Sequence, residues 1–203
     1  MNKITPDDLV IYPTDTVWGI GCRLNSKINF DKIALIKNTP VGKPLSIMFN
    51  NVEELKKYFN LPEQISDEWL VKFFSLETSL GIPKTWAKKE VPDWAFGGSQ
   101  VISVRCLSLE VIENLYRDFG GPFYSTSLNI SGEPPVTKLE DAKKFLKLHG
   151  KECVLVEDEI LKNLSGISST IIFFDELNRY KIIREGNRSK EVLEHLNSKF
   201  ISA

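Results

Sequence analysis

The sequence predicts an α/β fold, in which a mixed β-sheet is flanked by helices. Short apolar runs typical of buried strands alternate along the chain with longer stretches whose apolar residues recur at helical spacing. The 203 residues are 42% hydrophobic and 26% charged, which is enough apolar material for the core of one large domain. Several predicted strands have hydroxyl-bearing or cationic residues at one end. Because ligands of α/β sheets bind at strand ends, these residues are candidates for a ligand site. We therefore predict one domain over residues 1–203.

The predicted strands are short and mostly apolar. The first, residues 9–13, ends in a proline, and strand 100–106 places Val101, Ser103 and Arg105 on one face. The remaining strands and extended runs follow in order: 45–49, 79–83, 122–124, 154–156, 171–174 and 180–184.

The predicted helices are bounded by capping and breaking residues. Helix 30–37 stops before Pro40, because a proline disfavours helix in the residue that precedes it. The others follow in order: 52–59, 63–74, 109–119 ended by Gly120, 138–148 with Thr137 as N-cap, and 189–200 with Ser189 as N-cap.

Residues 84–98 are predicted to form a long loop. Trp86, Pro92, Trp94 and a Gly-Gly pair lie there in a charged context. Long loops in compact domains are usually functional or mobile, so this segment is a candidate lid.

Charge and cysteine usage exclude several classes of protein. The formal net charge of -1 argues against binding of nucleic acid through bulk charge, although a local basic patch stays open. Three widely spaced cysteines (Cys22, Cys106 and Cys153) do not form a disulfide framework or a zinc motif. No apolar signal segment follows the N-terminus and no apolar run has transmembrane length. We therefore expect a cytoplasmic protein with no membrane partner.

The stretch Ser125–Gly132 is the first candidate ligand site. It follows an apolar run and combines small hydroxyls, an amide and a glycine, which donate hydrogen bonds to oxyanions and let a backbone approach a ligand closely. An ordinary polar turn is the alternative, since these residue types also dominate turns. The two histidines, His149 and His195, lie in charged helical surroundings and are expected to be exposed. A reaction catalysed by this protein would then proceed without a histidine side chain as acid or base.

Other strand ends carry similar groups. Residues 14–22, with two hydroxyls, a carboxylate and two glycines, follow the first strand, where a ligand loop or a capped turn would fit. Lys37 and Lys43 flank a proline loop and suit phosphate, although solvated surface lysines are commoner. Arg105 within a strand needs an anion if it points inward, or lies on an exposed edge. Residues 165–170 add a second hydroxyl cluster. No P-loop and no Rossmann fingerprint is present.

Five motifs resemble those of one known family, in the family's order. They are YPTDTVWGIG at 12–21, KNTPVGKPL at 37–45, STSLNISG at 125–132, STII at 169–172 and REG at 184–186. On these motifs the chain is identified as a member of the YrdC/Sua5 family, threonylcarbamoyl-AMP synthases, in its short form. The resemblance implies a YrdC-like twisted open mixed sheet, flanked by helices, with a large central cavity.

The resemblance also implies a reaction and its partners. The family joins L-threonine, bicarbonate and ATP into threonylcarbamoyl-AMP and pyrophosphate, with Mg²⁺ expected on the triphosphate. A separate transferase complex then passes the threonylcarbamoyl group to tRNA, and the family is described as binding double-stranded RNA. Asp15 is a weaker candidate for holding the Mg²⁺.

Site residues are carried over only where the motifs match. Those implied for threonine are Thr16, Arg105, Ser127 and Ser169. Those implied for ATP are Lys37, Lys43, Asn129, Thr137 and Arg184, of which Lys37, Lys43 and Arg184 would supply the electrostatics at phosphate.

The chain departs from the family pattern at several positions. Thr39 stands where the family has an arginine, and Met48 where many members have a histidine. Segment 74–79, Leu128 and Trp18 also differ. One alternative is therefore a paralogue without synthase activity that binds nucleotide or double-stranded RNA. Another is the same chemistry on a different amine, which Met48 would favour.

Overall fold

The computed structural model describes residues 4–88, 90–157, 164–174 and 179–202. All the strands of this described part belong to one sheet. They are β1 (Leu9–Pro13), β2 (Trp18–Arg23), β3 (Ser46–Phe49), β4 (Thr78–Pro83), β5 (Val101–Cys106), β6 (Phe123–Ser127), β7 (Cys153–Leu155), β8 (Thr170–Phe174), β9 (Arg179–Arg184) and β10 (Ile201–Ser202).

Six helices flank this sheet in the described ranges. They are α1 (Lys27–Ile36), α2 (Val52–Tyr58), α3 (Asp67–Phe74), α4 (Glu110–Phe119), α5 (Leu139–Leu148) and α6 (Ser189–Asn197). Side chains cap the first three, as when Asn51 accepts from the backbone nitrogen of Glu54 at 2.8 Å. Gly120 ends α4 in the left-handed conformation, where glycine carries no Cβ penalty.

The sheet is mixed, as predicted. Its strands lie in the order β10, β9, β8, β4, β5, β3, β6, β2, β1, β7. The pairs β3–β5, β4–β8, β1–β7 and β9–β10 are parallel, and the other neighbours are antiparallel. The two predicted stretches at 12–21 and 125–132 are thereby brought together, because β2 pairs with β6.

Strand register sorts the side chains of the central strands onto two different faces. One face carries the main apolar core, including Ile20, Tyr124, Ile47, Val104 and Leu80, which are all fully buried. The neighbouring positions, displaced by one residue, face the other way because side chains alternate along a strand.

The second face is lined mainly by small and polar residues. Gly21 pairs with Ser125, and Ser125 pairs with Ser46 on the next strand. Gly81 pairs with Ser103 on the far side of β3. At one end of this face α4 packs a smaller apolar cluster against Val10, Tyr12, Met48 and Phe123. The rest of the face is left as a trough.

Several predicted boundaries are wrong. Residues 18–22, predicted as part of a ligand loop, belong to strand β2 (Trp18–Arg23) inside the sheet. The chain returns to the sheet as β10 at Ile201–Ser202, after α6 has ended at Asn197. Helix α1 begins three residues earlier than predicted, after the N-cap Ser26.

Two predicted helix caps are also displaced. Lys138 rather than Thr137 occupies the N-cap of α5, and Arg188 rather than Ser189 that of α6. Neither cap residue makes a side-chain capping bond. Thr137 therefore lies just outside the helix, with its hydroxyl uncommitted to capping.

The predicted loop 84–98 contains two short 3₁₀ turns, at Lys84–Trp86 and Asp93–Phe96. Trp94 packs edge-on against Phe30 with ring centroids 5.2 Å apart, which ties the second turn to α1. Residue 89 lies outside the described residues, and the lid role stays a prediction.

Cysteine usage agrees with the sequence-based expectation. All three cysteines are free and buried. Burial raises the pKa of the Cys153 thiol to about 12, and it also raises the pKa values of the Cys22 and Cys106 thiols. None of the helices in the described ranges has the length and apolar character needed to cross a membrane.

Candidate functional site

A cleft of about 100 Å³ opens on the small-residue face of the sheet. Serine, threonine and glycine supply most of its wall, together with two arginines, and none of the described lining residues is acidic. The lining residues are Thr14, Thr16, Val17, Trp18, Gly19, Ser46, Met48, Ser79, Arg105, Ser125, Thr126, Ser127, Ser168, Ser169, Ile171 and Arg184. Such a surface suits an anionic ligand with several oxygens.

Gly19 lies in the floor of the cleft, and both glycines of β2 pack closely against neighbouring atoms. A Cβ atom on Gly21 would lie 2.3 Å from the backbone oxygen of Tyr124, and one on Gly19 would lie 3.1 Å from the ring of Tyr12. Larger residues at either position would push the neighbouring strand or ring away. The two glycines of the 12–21 motif are therefore required by close packing.

The Tyr12 phenol and the Ser125 hydroxyl form a buried hydrogen bond beneath this floor. Both residues are buried, and burial raises the pKa of Tyr12, so the phenol keeps its proton. Tyr12 donates and the Ser125 oxygen accepts.

Arg105 closes one side of the cleft. Its guanidinium is buried and donates from Nη2 to Asp15 Oδ2 at 2.8 Å and from Nη1 to Thr16 Oγ1 at 3.1 Å. The turn that holds these acceptors is fixed by Thr14, whose hydroxyl accepts from the backbone nitrogens of Thr16 and Val17, each at 3.2 Å. The predicted alternative of an edge-exposed arginine is wrong, because β5 lies inside the sheet.

Ser169 lies opposite this turn with two polar partners. Its hydroxyl shares a 2.8 Å hydrogen bond with Ser79, which is also buried. Arg184 donates to the Ser169 backbone oxygen from Nε at 3.0 Å and from Nη2 at 2.8 Å. Nη2 also donates to the Ser169 hydroxyl at 3.3 Å, and Arg184 lines the cleft while part of its side chain is exposed.

Lys37 is buried against the predicted ligand stretch. Its ammonium donates to the Asn129 backbone oxygen at 2.8 Å, to Asn129 Oδ1 at 2.9 Å and to the Ser127 backbone oxygen. Desolvation and the nearby Lys43 lower the pKa of Lys37 to about 8. All three ammonium hydrogens are thus used within the loop, which is therefore anchored to the end of α1.

Asn129 is also fully engaged within this loop. Its Oδ1 accepts from Ser127 Oγ at 2.7 Å, and its Nδ2 donates to the backbone oxygens of Ile130 at 3.0 Å and Glu133 at 2.8 Å. Lys43, by contrast, is exposed on the far side of Pro40.

The two divergent positions lie at different places. Met48 is buried, lines the cleft and pairs in register with Arg105. Thr39 follows α1 and donates from its hydroxyl to the Ala34 oxygen at 3.3 Å. Met48 therefore forms part of the cleft wall, whereas Thr39 belongs to the Lys37–Lys43 loop.

The histidines lie away from the cleft. His149 is exposed, as predicted, but His195 is half-buried and stacks on Trp69 with ring centroids 4.5 Å apart. Desolvation lowers the pKa of His195. In the described part of the chain, no three histidine, cysteine or acidic residues cluster as metal ligands would.

The structure thus gathers Thr16, Arg105, Ser127, Ser169 and Arg184 around one cleft. Lys37 and Asn129 hold its rim, while Lys43 and Thr137 lie outside the lining. Sequence reasoning missed Ser46 and Ser79 as lining residues. The available signal was the alternation of side chains between the two faces of each strand. That alternation does not say which face lines the cleft until the strand register is known.

Known proteins are similar to this chain over most of its length. The Sua5/YciO/YrdC family model, described as "Telomere recombination", matches residues 2–186. The threonylcarbamoyl-AMP synthase of Wigglesworthia glossinidia brevipalpis is 30% identical over 191 residues, covering 92% of this chain and 91% of the relative. That of Riesia pediculicola is 33% identical over 180 residues, covering 85% and 89%.

Solved structures confirm the predicted fold class. The P. abyssi Sua5 complexed with L-threonine matches with a TM-score of 0.78 and 27% identity, covering 97% of this chain. The chain spans about half of that protein, 55% of its length. E. coli YciO has a TM-score of 0.73 at 21% identity, covering 91% of this chain and 86% of its own, which shows the fold alone. With a match over residues 2–186, the chain belongs to the Sua5/YciO/YrdC family.

Proposed function

We propose that this chain is a threonylcarbamoyl-AMP synthase that uses L-threonine, bicarbonate and ATP. The observation that carries the proposal is the Arg105 guanidinium, buried above a hydroxyl-lined cleft in a member of a family whose relatives bear that name. A buried cation facing hydroxyl groups is suited to a small anion such as an amino-acid carboxylate. The alternative of a paralogue without synthase activity is not favoured by these relatives.

The amino acid would bind between β5 and the β1–β2 turn. Arg105 uses one hydrogen of Nη1 and one of Nη2 on Thr16 and Asp15. Each of these nitrogens carries a second hydrogen, and the two together can hold a carboxylate. Ser127 and Ser169 line the same cleft and would add hydroxyl donors.

The nucleotide would bind toward the Lys37–Lys43 loop and Arg184. Lys43 and Arg184 are exposed cations that can reach phosphate oxygens. Thr137 lies beside α5 with its hydroxyl free of capping. Lys37 and Asn129 are hydrogen-bonded to each other, so in this proposal they hold the loop in shape instead of binding the nucleotide directly. The positive charge of Lys37 would still attract the phosphates through space.

The reaction places modest demands on acid–base chemistry. The threonine nitrogen takes up the carboxyl group of bicarbonate, water leaves, and a carbamate oxygen attacks the α-phosphorus of ATP while pyrophosphate departs. The chain's contribution is to align anionic reactants and balance their charge, which lowers the barrier without an imidazole.

Mg²⁺ would enter with the triphosphate. Asp15 lies between the lining residues Thr14 and Thr16, and its Oδ2 is committed to Arg105. The residues present therefore fit a Mg²⁺ bound mainly by phosphate oxygens and water, supplying charge balance to the leaving pyrophosphate.

The partners are part of the proposal. The adenylate would pass to a transferase complex that modifies tRNA in the cytoplasm. Binding of double-stranded RNA by this chain stays a prediction, which the net charge of -1 weakens.

Pyrophosphate release from ATP and bicarbonate, measured with and without L-threonine, tests the proposal. We expect release to depend on threonine. The same measurement with a panel of amino acids covers the alternative of another amine. Release that no amino acid stimulates, at micromolar protein, would refute the synthase function.

A further inference from the structure

We infer that a second pocket, at the far end of strands β2 and β6 from the cleft, binds a small zwitterion with an apolar side chain, such as a free aromatic amino acid. The pocket has a volume of about 560 Å³, which lies within the range of small-molecule sites. The inference does not depend on the synthase function, because it concerns a different part of the molecule.

The pocket and the cleft lie at opposite ends of one pair of strands. Gly19 and Ser127, which pair in register, line the cleft. Four residues farther along β2, Arg23 pairs with Phe123, and Arg23 and Pro122 line the pocket. Four residues of a strand span about 13 Å. The two sets of lining residues have no member in common, so a ligand in the pocket meets different groups from a ligand in the cleft.

Arg23 supplies a cation whose hydrogen-bonding capacity is largely unused. Its Nε is buried without a partner. In the described ranges its one carboxylate neighbour is Asp7, whose Oδ1 lies 3.9 Å from Nη1, too far for a hydrogen bond. The guanidinium is a planar fork of donors that matches a carboxylate in a bidentate pair. A ligand carboxylate would therefore satisfy donors that the protein leaves unpaired.

The negative charge in the pocket comes from Glu90 and from the end of α4. Glu90 lines the pocket and is exposed, and it forms no ion pair with any residue that the structure describes. Gly120 and Gly121, which follow α4, present bare backbone in the same wall. Because the C-terminus of a helix carries partial negative charge, a ligand ammonium group is stabilised beside it.

Tyr58 and two apolar side chains form further parts of the wall. A Cβ on Gly121 would lie 3.4 Å from the Tyr58 hydroxyl, so the glycine leaves space beside the phenol. Burial raises the pKa of Tyr58, and the hydroxyl therefore keeps its proton and can donate. Leu24 and Phe119 are buried and offer an apolar surface to the body of a ligand.

These groups together match an amino acid better than a simple ion. Arg23 and Glu90 are the charged residues among those that line the pocket, and their formal charges cancel. Net charge therefore favours neither a phosphate nor a polyamine. A free amino acid carries a carboxylate and an ammonium group on one carbon, with its side chain beyond. An aromatic side chain would also use the apolar wall.

Calorimetric titration with L-phenylalanine, L-phenylalaninamide and N-acetyl-L-phenylalanine tests each contact, because each analogue lacks one charge. Slightly acidic buffer keeps both free amines protonated. Arg23→Gln should weaken the binding of phenylalanine about tenfold and leave the affinity for the amide, which has no carboxylate, unchanged. Glu90→Gln should weaken phenylalanine and the amide about three- to tenfold and leave the N-acetyl compound unchanged.

Arg117→Gln removes an exposed arginine of α4 outside the pocket and is the matched control, with affinities expected to equal those of wild type. Arg105→Lys alters the cleft and should likewise leave phenylalanine binding unchanged. Absent binding of phenylalanine to wild type, or a loss of binding caused by Arg105→Lys, would overturn the inference. An Arg23→Gln effect of equal size on phenylalanine and its amide would also overturn it.

Discussion

Arg105 donates through Nη2 to Asp15 Oδ2 at 2.8 Å and thereby joins β5 to the turn between β1 and β2. Strands β3 and β6 lie between these elements in the sheet, so the contact crosses the trough. Only 5% of Arg105 is exposed, and a buried guanidinium is tolerated when it is paired and hydrogen-bonded. Arg105 Nε and Asp15 Oδ1 remain buried without a partner. The pair thus fixes the cleft wall while leaving hydrogen-bonding capacity unused.

We expect Arg105→Lys to separate the two substrate sites. Lysine keeps the charge but cannot hold Asp15, Thr16 and a carboxylate with one fixed planar group. Losing a charge-assisted hydrogen bond worth about 1.5–3 kcal/mol should raise the KM for threonine roughly tenfold to hundredfold. The KM for ATP should stay within about twofold of wild type. Steady-state pyrophosphate release with each substrate varied measures both, and an equal rise in the two constants would contradict this assignment.

Thr39→Arg should improve the use of ATP. Thr39 lies in the loop between Lys37 and Lys43, at a position where the family pattern has an arginine. Its hydroxyl donates a hydrogen bond to the backbone oxygen of Ala34. An added guanidinium that reaches phosphate should lower the KM for ATP about tenfold or more. Thr39→Gln, long but uncharged, is the matched control. If the glutamine variant improves ATP use as much as the arginine variant does, charge is not the cause.

The sequence located most of the site before its geometry was known. Hydroxyl groups and cations near strand ends are visible in the sequence and indicated the stretches that contain Thr16, Arg105, Ser127 and Ser169. The family resemblance then pointed to these four residues individually. These residues share one cleft because β2, β6, β3 and β5 are neighbours in the sheet. Their adjacency comes from strand order, which no local pattern encodes.

Strand β2 shows why the rest was missed. Its two glycines and its position after a proline turn favoured a loop, since glycine weakens isolated strands. In the folded chain Gly21 is required because the Tyr124 backbone lies too close for a Cβ. That constraint arises from the neighbouring strand. The same register turns Ser46 and Ser79 into lining residues.

Lys37 should make stability rise with pH in the alkaline range. Its pKa is about 8 in the folded protein, below its ordinary value of 10.5, because burial and Lys43 disfavour the charge. Between these values the unfolded chain holds a proton that the folded chain has lost, so raising the pH favours folding. From pH 7 to pH 10 wild type should gain about 2 kcal/mol of unfolding free energy relative to Lys37→Met.

Urea denaturation of both proteins at these pH values measures this difference. Lys144→Met removes an exposed lysine of α5 and serves as the control, for which we expect no comparable change. A difference between wild type and Lys37→Met that is constant with pH would show that the three loop oxygens hold the ammonium charged throughout.

Gly186→Ala should disturb the cleft through the backbone. A Cβ at Gly186 would lie 2.8 Å from the Thr170 nitrogen and 2.9 Å from the Ser168 oxygen, both backbone atoms that cannot swing aside. Overpacking of this kind costs about 1–3 kcal/mol of unfolding free energy, and it should displace Ser169 and raise the KM for threonine. Gly150→Ala is the control, because its Cβ would lie 3.3 Å from the side chains of Cys153 and Ile11 and no nearer than 3.6 Å to a backbone atom, the Leu146 Cα. Equal unfolding free energies for the two variants would show that the start of β8 yields, and that the glycine of the 184–186 motif is not held there by packing.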